Sequence, residues 1–240
     1  MNLDPLLNNK INSIIELYSS GQISDALESI EILIRQNPKE SILHNISGVC
    51  LKATGQLEMA VQSFKSAINL KSNFADAHFN LALTHQELDN MDDAIKSYQD
   101  TLAIQSDYAK AHNNLGIVYK ELGQNNDAIK SYKEALSHQP DFVEALNNLG
   151  NIQTELGKLD EAIKSYNNAL EIEPNYIEVH NNLGNILNDL GQLDEAVKHY
   201  EKAIAINPDY AEAHNNLGST LNELGEMDKA VKHCERAIAI

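Results

Sequence analysis

His180-Asn-Asn-Leu-Gly184 returns 34 residues later as His214-Asn-Asn-Leu-Gly218, and the same five residues stand earlier as His112-Asn-Asn-Leu-Gly116. The intervening copy reads Leu146-Asn-Asn-Leu-Gly150. Self-similarity at a fixed period in this range marks a stack of supersecondary units rather than one globular core. A frame of 34 residues fits 7–40, 41–74, 75–108, 109–142, 143–176, 177–210 and 211–240 without an insertion, the last copy being incomplete, with residues 1–6 as an N-terminal extension.

The glycines confirm the register, since all eleven fall at two positions of the frame. The fifteenth position holds Gly21, Gly55, Gly123, Gly157, Gly191 and Gly225, each after an apolar-periodic run such as Val143 to Leu156, where a helix ends on a residue that tolerates positive φ. The eighth holds Gly48, Gly116, Gly150, Gly184 and Gly218, in mid-helix. Glycine there costs about 1 kcal/mol relative to alanine, so close approach of a neighbouring helix is expected. A second helix is expected after Leu-Asp-Glu-Ala (Leu159 to Ala162, Leu193 to Ala196), running to a proline such as Pro140, Pro174 or Pro208. In the sixth copy Ala196, Val197, Tyr200, Ala203 and Ile204 form one apolar stripe along that second helix. Acid-to-lysine pairs four apart (Asp92 and Lys96, Asp160 and Lys164, Asp194 and Lys198, Asp228 and Lys232) mark the opposite, solvated face.

Composition narrows the function. The 240 residues carry 18 Lys+Arg against 35 Asp+Glu, a formal charge of -17, which repels nucleic-acid phosphate and anionic membranes. Apolar runs are far shorter than the roughly 20 residues of a spanning helix, and Met1 to Lys10 has no apolar signal core, so the expectation is a cytoplasmic chain by default. Cys50 and Cys234 are too few and too far apart in sequence for a disulfide framework. His44, His78, His112, His180 and His214 share the fourth frame position, so they sit one copy apart and cannot converge on one ion; with no HExxH or paired CxxC, no metal site or cofactor is expected. No nucleophile, base and orienter group together in the sequence, and no phosphate-binding glycine loop occurs, so the chain is not expected to be an enzyme.

These residues resemble the tetratricopeptide repeat family: Leu at position seven, Gly at eight, Ala at twenty (Ala26, Ala60, Ala94, Ala128, Ala162, Ala196, Ala230), an aromatic at twenty-four (Phe64, Tyr98, Tyr132, Tyr166, Tyr200) and Pro at thirty-two. The resemblance covers nearly the whole chain. It implies an all-α fold, a right-handed superhelical solenoid of antiparallel helix pairs with the first helix of each pair lining a concave groove. The first copy departs from the pattern, with Lys10 and Ile14 where others have His and Gly.

Asparagine is the feature that rises above the fold. It holds the sixth position as Asn12, Asn80, Asn114, Asn148, Asn182 and Asn216, and the fifth as Asn45, Asn113, Asn147, Asn181 and Asn215. Asparagine is a poor helix former, so adjacent pairs in mid-helix call for a reason. An amide supplies both donor and acceptor, the set that pairs with an extended peptide backbone. The pattern resembles the asparagine ladder in the repeat region of O-linked N-acetylglucosamine transferases. Local capping is the alternative. The first helices of copies five to seven carry Glu144, Glu155, Glu178, Asp189, Glu212 and Glu223 and neither Lys nor Arg. Glu121, Glu155, Asp189 and Glu223 are therefore expected to meet Lys or Arg of a neutral or basic peptide, and an acidic C-terminal ligand is disfavoured.

The final helix presents Ala230, Val231, Cys234, Ala237 and Ile238 and the chain stops at Ile240 without a polar cap. Three functions are compatible: a peptide-binding scaffold, a substrate-recruiting repeat region ahead of a glycosyltransferase- or sulfotransferase-type domain, or a module that self-associates through its bare last copy.

Overall fold

The computed structural model describes residues 4–240, and among these every regular element is helical. The chain divides into two compact units, Met1–Gly123 and Gln124–Ile240. Unit 1 holds α1 (Pro5–Ser19), α2 (Ile23–Gln36), α3 (Ser41–Ala53), α4 (Leu57–Leu70), α5 (Ala75–Glu87), α6 (Met91–Ile104) and α7 (Ala109–Glu121). Unit 2 holds α8 (Asn125–His138), α9 (Val143–Glu155), α10 (Leu159–Ile172), α11 (Ile177–Asp189), α12 (Leu193–Ile206), α13 (Ala211–Glu223) and α14 (Met227–Ala239).

Within unit 1, α3 packs on α4 and α5 on α6, and α4 in turn meets α5; within unit 2 the same holds for α9 with α10, α11 with α12 and α13 with α14, with α12 against α13. This is an all-α helical-repeat solenoid in which each unit buries its apolar stripes between successive pairs. Ala60, Ala94, Ala128, Ala162 and Ala196 are fully buried, and Phe64, Tyr98, Tyr132, Tyr166 and Tyr200 are the largest of the fully or almost fully buried side chains. A Cβ on Gly150 would lie 2.5 Å from the Tyr166 ring and one on Gly48 2.5 Å from Phe64, so glycine lets the aromatic of the second helix lie on the backbone of the first. Gly157, at φ +70°, has open space around its Cα and serves only the turn.

Two details differ from the sequence reading. Leu-Asp-Glu-Ala is the first turn of the second helix rather than its approach: α10 starts at Leu159 and α12 at Leu193, with Asp160, Glu161, Asp194 and Glu195 against the positive helix end. Pro5 and Leu6 belong to α1, where Asp4 accepts from the Leu6 N–H and Pro5 takes the first helical position. Among the described residues no helix is long and apolar enough to cross a membrane. Cys50 and Cys234 are both free thiols, the first buried, with its pKa raised by burial.

Candidate peptide-binding face

The asparagine amides bond from one helix pair to the next. Asn80 Nδ2 donates to Asn45 Oδ1 at 3.1 Å, linking α5 to α3. Asn182 Nδ2 donates to Asn151 Oδ1 at 3.0 Å, linking α11 to α9. Asn216 Nδ2 reaches both Asn181 Oδ1 (3.1 Å) and Asn185 Oδ1 (2.9 Å), linking α13 to α11. Asn181 Nδ2 in turn donates to Glu212 Oε1 at 2.7 Å. Asn80, Asn182 and Asn216 thus serve as inter-repeat fasteners, which explains their presence in mid-helix despite poor propensity.

The buried tyrosines join the same lattice. Tyr166 Oη donates to Asn151 Oδ1 at 2.7 Å and Tyr200 Oη to Asn185 Oδ1 at 2.8 Å, so each ninth-position asparagine oxygen accepts from both a tyrosine and the asparagine of the following copy. Burial pushes the Tyr166 phenol above its ordinary range and that of Tyr200 up to about 12, keeping both protonated as donors. Thr220 Oγ1 donates to Asn188 Oδ1 at 2.7 Å and extends the network along α11 and α13. Asn151, Asn185 and Asn188 were not singled out from the sequence. For Asn151 and Asn185 the available signal was the ninth position, where copies five and six carry Asn and earlier copies carry Ile15, Val49, Leu83 and Ile117; Asn188 stands at the twelfth.

Asn113 is buried on α7 and its Nδ2 donates to Asn114 Oδ1 at 3.2 Å. Asn147 and Asn148 are half-buried on α9, and the Asn147 Oδ1 is a buried acceptor without a hydrogen-bond partner. Asn215 is exposed on α13. Glu121, Glu155, Asp189 and Glu223 are exposed and are the last residues of α7, α9, α11 and α13. Glu87 ends α5 in the same manner and pairs with Lys52 at 2.5 Å. A carboxylate at the negative end of a helix dipole opposes helix stability, and two such ends in unit 1 and three in unit 2 form electronegative edges.

In unit 1 an open pocket of about 420 Å³ lies beside these edges, with Leu83, Ile117 and Met91 as apolar walls and Glu87, Glu121 and Asn114 among its polar ones. The fourth-position histidines bond to backbone: His44, His78 and His112 Nε2 lie 3.0, 3.1 and 3.0 Å from the carbonyls of Pro38, Ser72 and Ser106. Among the described residues no three His, Cys, Asp or Glu side chains cluster so as to hold a metal ion.

The repeat geometry defines the class, a helical-repeat protein, and comparison with known proteins gives its family. A model described as TPR repeat matches residues 51–89, 150–187 and 184–225, and models described as tetratricopeptide repeat match 73–141, 131–164 and 211–240. The chain belongs to the tetratricopeptide repeat family. A 67-residue stretch is 28% identical to the peroxisomal targeting signal receptor of Saccharomyces cerevisiae, over 28% of this chain and 11% of that protein. The chain therefore matches only 11% of the length of that curated relative. Among solved structures, MamA protein is similar at 25% identity with a TM-score of 0.63, over 69% of this chain and 90% of that one. YrrB, described as a TPR protein with an unusual peptide-binding site, is similar in fold at 22% identity and a TM-score of 0.63, over 78% and 96% of the two chains. Family membership and these neighbours support a scaffold for protein–protein interaction.

Proposed function

We propose that the chain is a non-catalytic interaction scaffold that holds an extended neutral or basic segment of a partner protein along the faces of its odd-numbered helices. The observation that carries this reading is the run of carboxylates at the C-terminal ends of α9, α11 and α13, helices with no Lys or Arg. Glu155, Asp189 and Glu223 attract lysine or arginine of the ligand, and Glu121 does so in unit 1. Asn80, Asn113, Asn114, Asn147, Asn148, Asn181, Asn182, Asn215 and Asn216 supply amides for its backbone. Since several of those amides are already bonded across repeats, the carboxylates are the cleaner handle for a test.

The test is selection from a displayed random-peptide library on the whole chain, followed by fluorescence anisotropy with the selected peptides. The expected result is enrichment of Lys and Arg, with affinity falling as salt rises from about 50 to about 300 mM because exposed charges are screened. The triple variant Glu155→Gln, Asp189→Asn, Glu223→Gln, at exposed positions, should lose about tenfold in affinity, roughly 1.4 kcal/mol. Selected peptides that are acidic, or affinities that the triple variant leaves unchanged, would sink this reading.

A further inference from the structure

Fourth-position histidine meets the twenty-third position of the same copy, and that contact differs along the chain. In copies two to five the twenty-third residue is Ser63, Ser97, Ser131 or Ser165; in the last two it is His199 and His233. His180 Nδ1 lies 3.1 Å from His199 Nδ1, with ring centroids 5.3 Å apart. His214 Nδ1 lies 2.9 Å from His233 Nδ1, with centroids 5.1 Å apart. The inner ring of each pair has its Nε2 on a carbonyl, His180 on Pro174 at 3.0 Å and His214 on Pro208 at 3.1 Å. A carbonyl only accepts, so Nε2 carries the proton and Nδ1 of the neutral inner ring is an acceptor. The outer ring, His199 or His233, therefore donates its Nδ1–H. One proton joins the two rings.

We propose that the two imidazole pairs form an acid-sensitive interlock, fastening α11 to α12 and α13 to α14 at neutral pH and releasing them as acid charges the rings. The protons can be counted. The first adds to the outer ring at Nε2, which preserves the shared bond but puts a charge into a half-buried seam. The second must add to the inner Nδ1, which sets two N–H groups face to face and abolishes the bond. The His180–His199 pair titrates as a unit. The charged groups acting on these rings lie on α12: Lys202 opposes charging of His180, while Glu195 favours it at His199 and Glu201 at His233. Burial outweighs these influences and holds His180, His199 and His233 below the ordinary imidazole range, the neighbouring ring adding to the effect at His199 and His233. The unfolded chain binds these protons more readily than the folded one, so stability rises with pH. It is full above about 6.5 and is lost as pH falls through the lower folded values.

The test is amide hydrogen exchange on the whole chain at about pH 7.5 and about pH 5.5, corrected for intrinsic rates, a window above the carboxylate range. Between these, α11–α14 should lose about tenfold in protection, the equivalent of one pKa unit. The α9–α10 pair, with Leu146 and Ser165 at the two positions, should change far less. The double variant His199→Ser, His233→Ser should erase the difference; serine fills this position in all five other copies, and circular dichroism at neutral pH checks its helicity. A second double variant, His180→Leu with His214→Leu, takes its residue from Leu146 and should do the same. Undiminished acid loss in both variants, or full protection of α11–α14 in the parent at about pH 5.5, would overturn the interlock.

Discussion

Unit 1 and unit 2 use one frame and line it with different chemistry. At the ninth position unit 1 carries Ile15, Val49, Leu83 and Ile117, whereas α9, α11 and α13 of unit 2 carry Asn151, Asn185 and Ser219. In unit 1 the Tyr98 hydroxyl turns to Gln86 Oε1 at 3.0 Å; in unit 2 the hydroxyls of Tyr166 and Tyr200 find Asn151 and Asn185. Positions eight, twenty and twenty-four make the helix pairs, so they vary little in character. The ninth is free of that duty. Asn151 and Asn185, placed there, are each captured by a buried tyrosine, and the following copy's asparagine bonds to the same oxygen. A change in lining thereby becomes a change in how repeats are joined.

The largest effect is expected where the units are alike. Gly150→Ala and Gly48→Ala each bring a Cβ to 2.5 Å from a buried ring and should cost about 2 kcal/mol in thermal or denaturant unfolding. Copy three shows what accommodation requires, since Ala82 fills the eighth position, fully buried, beside Tyr98. Trimming the ring together with the glycine change, as in Gly48→Ala with Phe64→Leu, should recover part of the loss. A neutral Gly150→Ala would show that the ring sits more loosely than the contact implies.

Next in size is a defect confined to unit 1. His85 holds the eleventh position, where Leu51, Leu187 and Leu221 stand in other copies; it is buried, and its Nδ1 has no hydrogen-bond partner. His85→Leu should stabilise unit 1 by about 1–2 kcal/mol, by replacing an unpaired buried polar atom with an apolar group. Burial lowers the His85 pKa, only partly opposed by Asp93. Stability from the neutral ring is present above about 6.5 and lost as pH falls through the lower folded value, so the gain from leucine should grow on acidification. Paired denaturant melts at neutral and mildly acidic pH read this directly.

The helical repeat was legible because the residues that make it are the ones that recur: Gly150, Ala162 and Tyr166 mark a contact that every copy must close, and the period repeats the signal along the chain. The candidate face was legible only in part. The amides of Asn182 and Asn216 stood out, but whether an amide faces a ligand or the next copy depends on residues about 31 to 35 positions away, such as Asn151 and Asn181. Asn151 and Asn185 escaped notice since asparagine holds the ninth position in two copies alone, with apolar residues in the first four and Ser219 in the last. Histidine at position four read as packing, and its bond to a carbonyl six residues earlier, as from His180 to Pro174, needed the bend between pairs to bring them together.

The tyrosine and asparagine lattice of unit 2 gives a smaller, sharper test. Tyr166→Phe should cost about 1 kcal/mol, since Asn151 Oδ1 keeps the Asn182 amide as one donor. Because both donors share one oxygen, Tyr166→Phe and Asn182→Ala together leave it without either and should exceed the sum by about 0.5 kcal/mol. Strict additivity in that double-mutant cycle would mean that the two bonds act independently and that the lattice is only a list of pairs.

The smallest effect concerns a turn. Gly21, Gly55, Gly123, Gly157, Gly191 and Gly225 adopt φ between +70° and +80°, and Asp89 fills the same place in copy three at φ 60°. A left-handed conformation costs an ordinary L residue about 1–2 kcal/mol, less for aspartate, whose short side chain can bond locally. Asp89 also adds negative charge just beyond the carboxyl end of α5, where Glu87 already stands. Against this, glycine raises the entropy of the unfolded chain and gives back about 0.5–1 kcal/mol. Asp89→Gly should therefore stabilise unit 1 by about 0.5 kcal/mol, and Gly157→Asp should destabilise unit 2 by a similar amount, because nothing lies within 4 Å of the added Cβ and only backbone conformation differs. Equal and opposite shifts would show that the turn is interchangeable between units. A destabilising Asp89→Gly would instead locate a favourable role for the aspartate side chain in copy three, the only copy without glycine at this position.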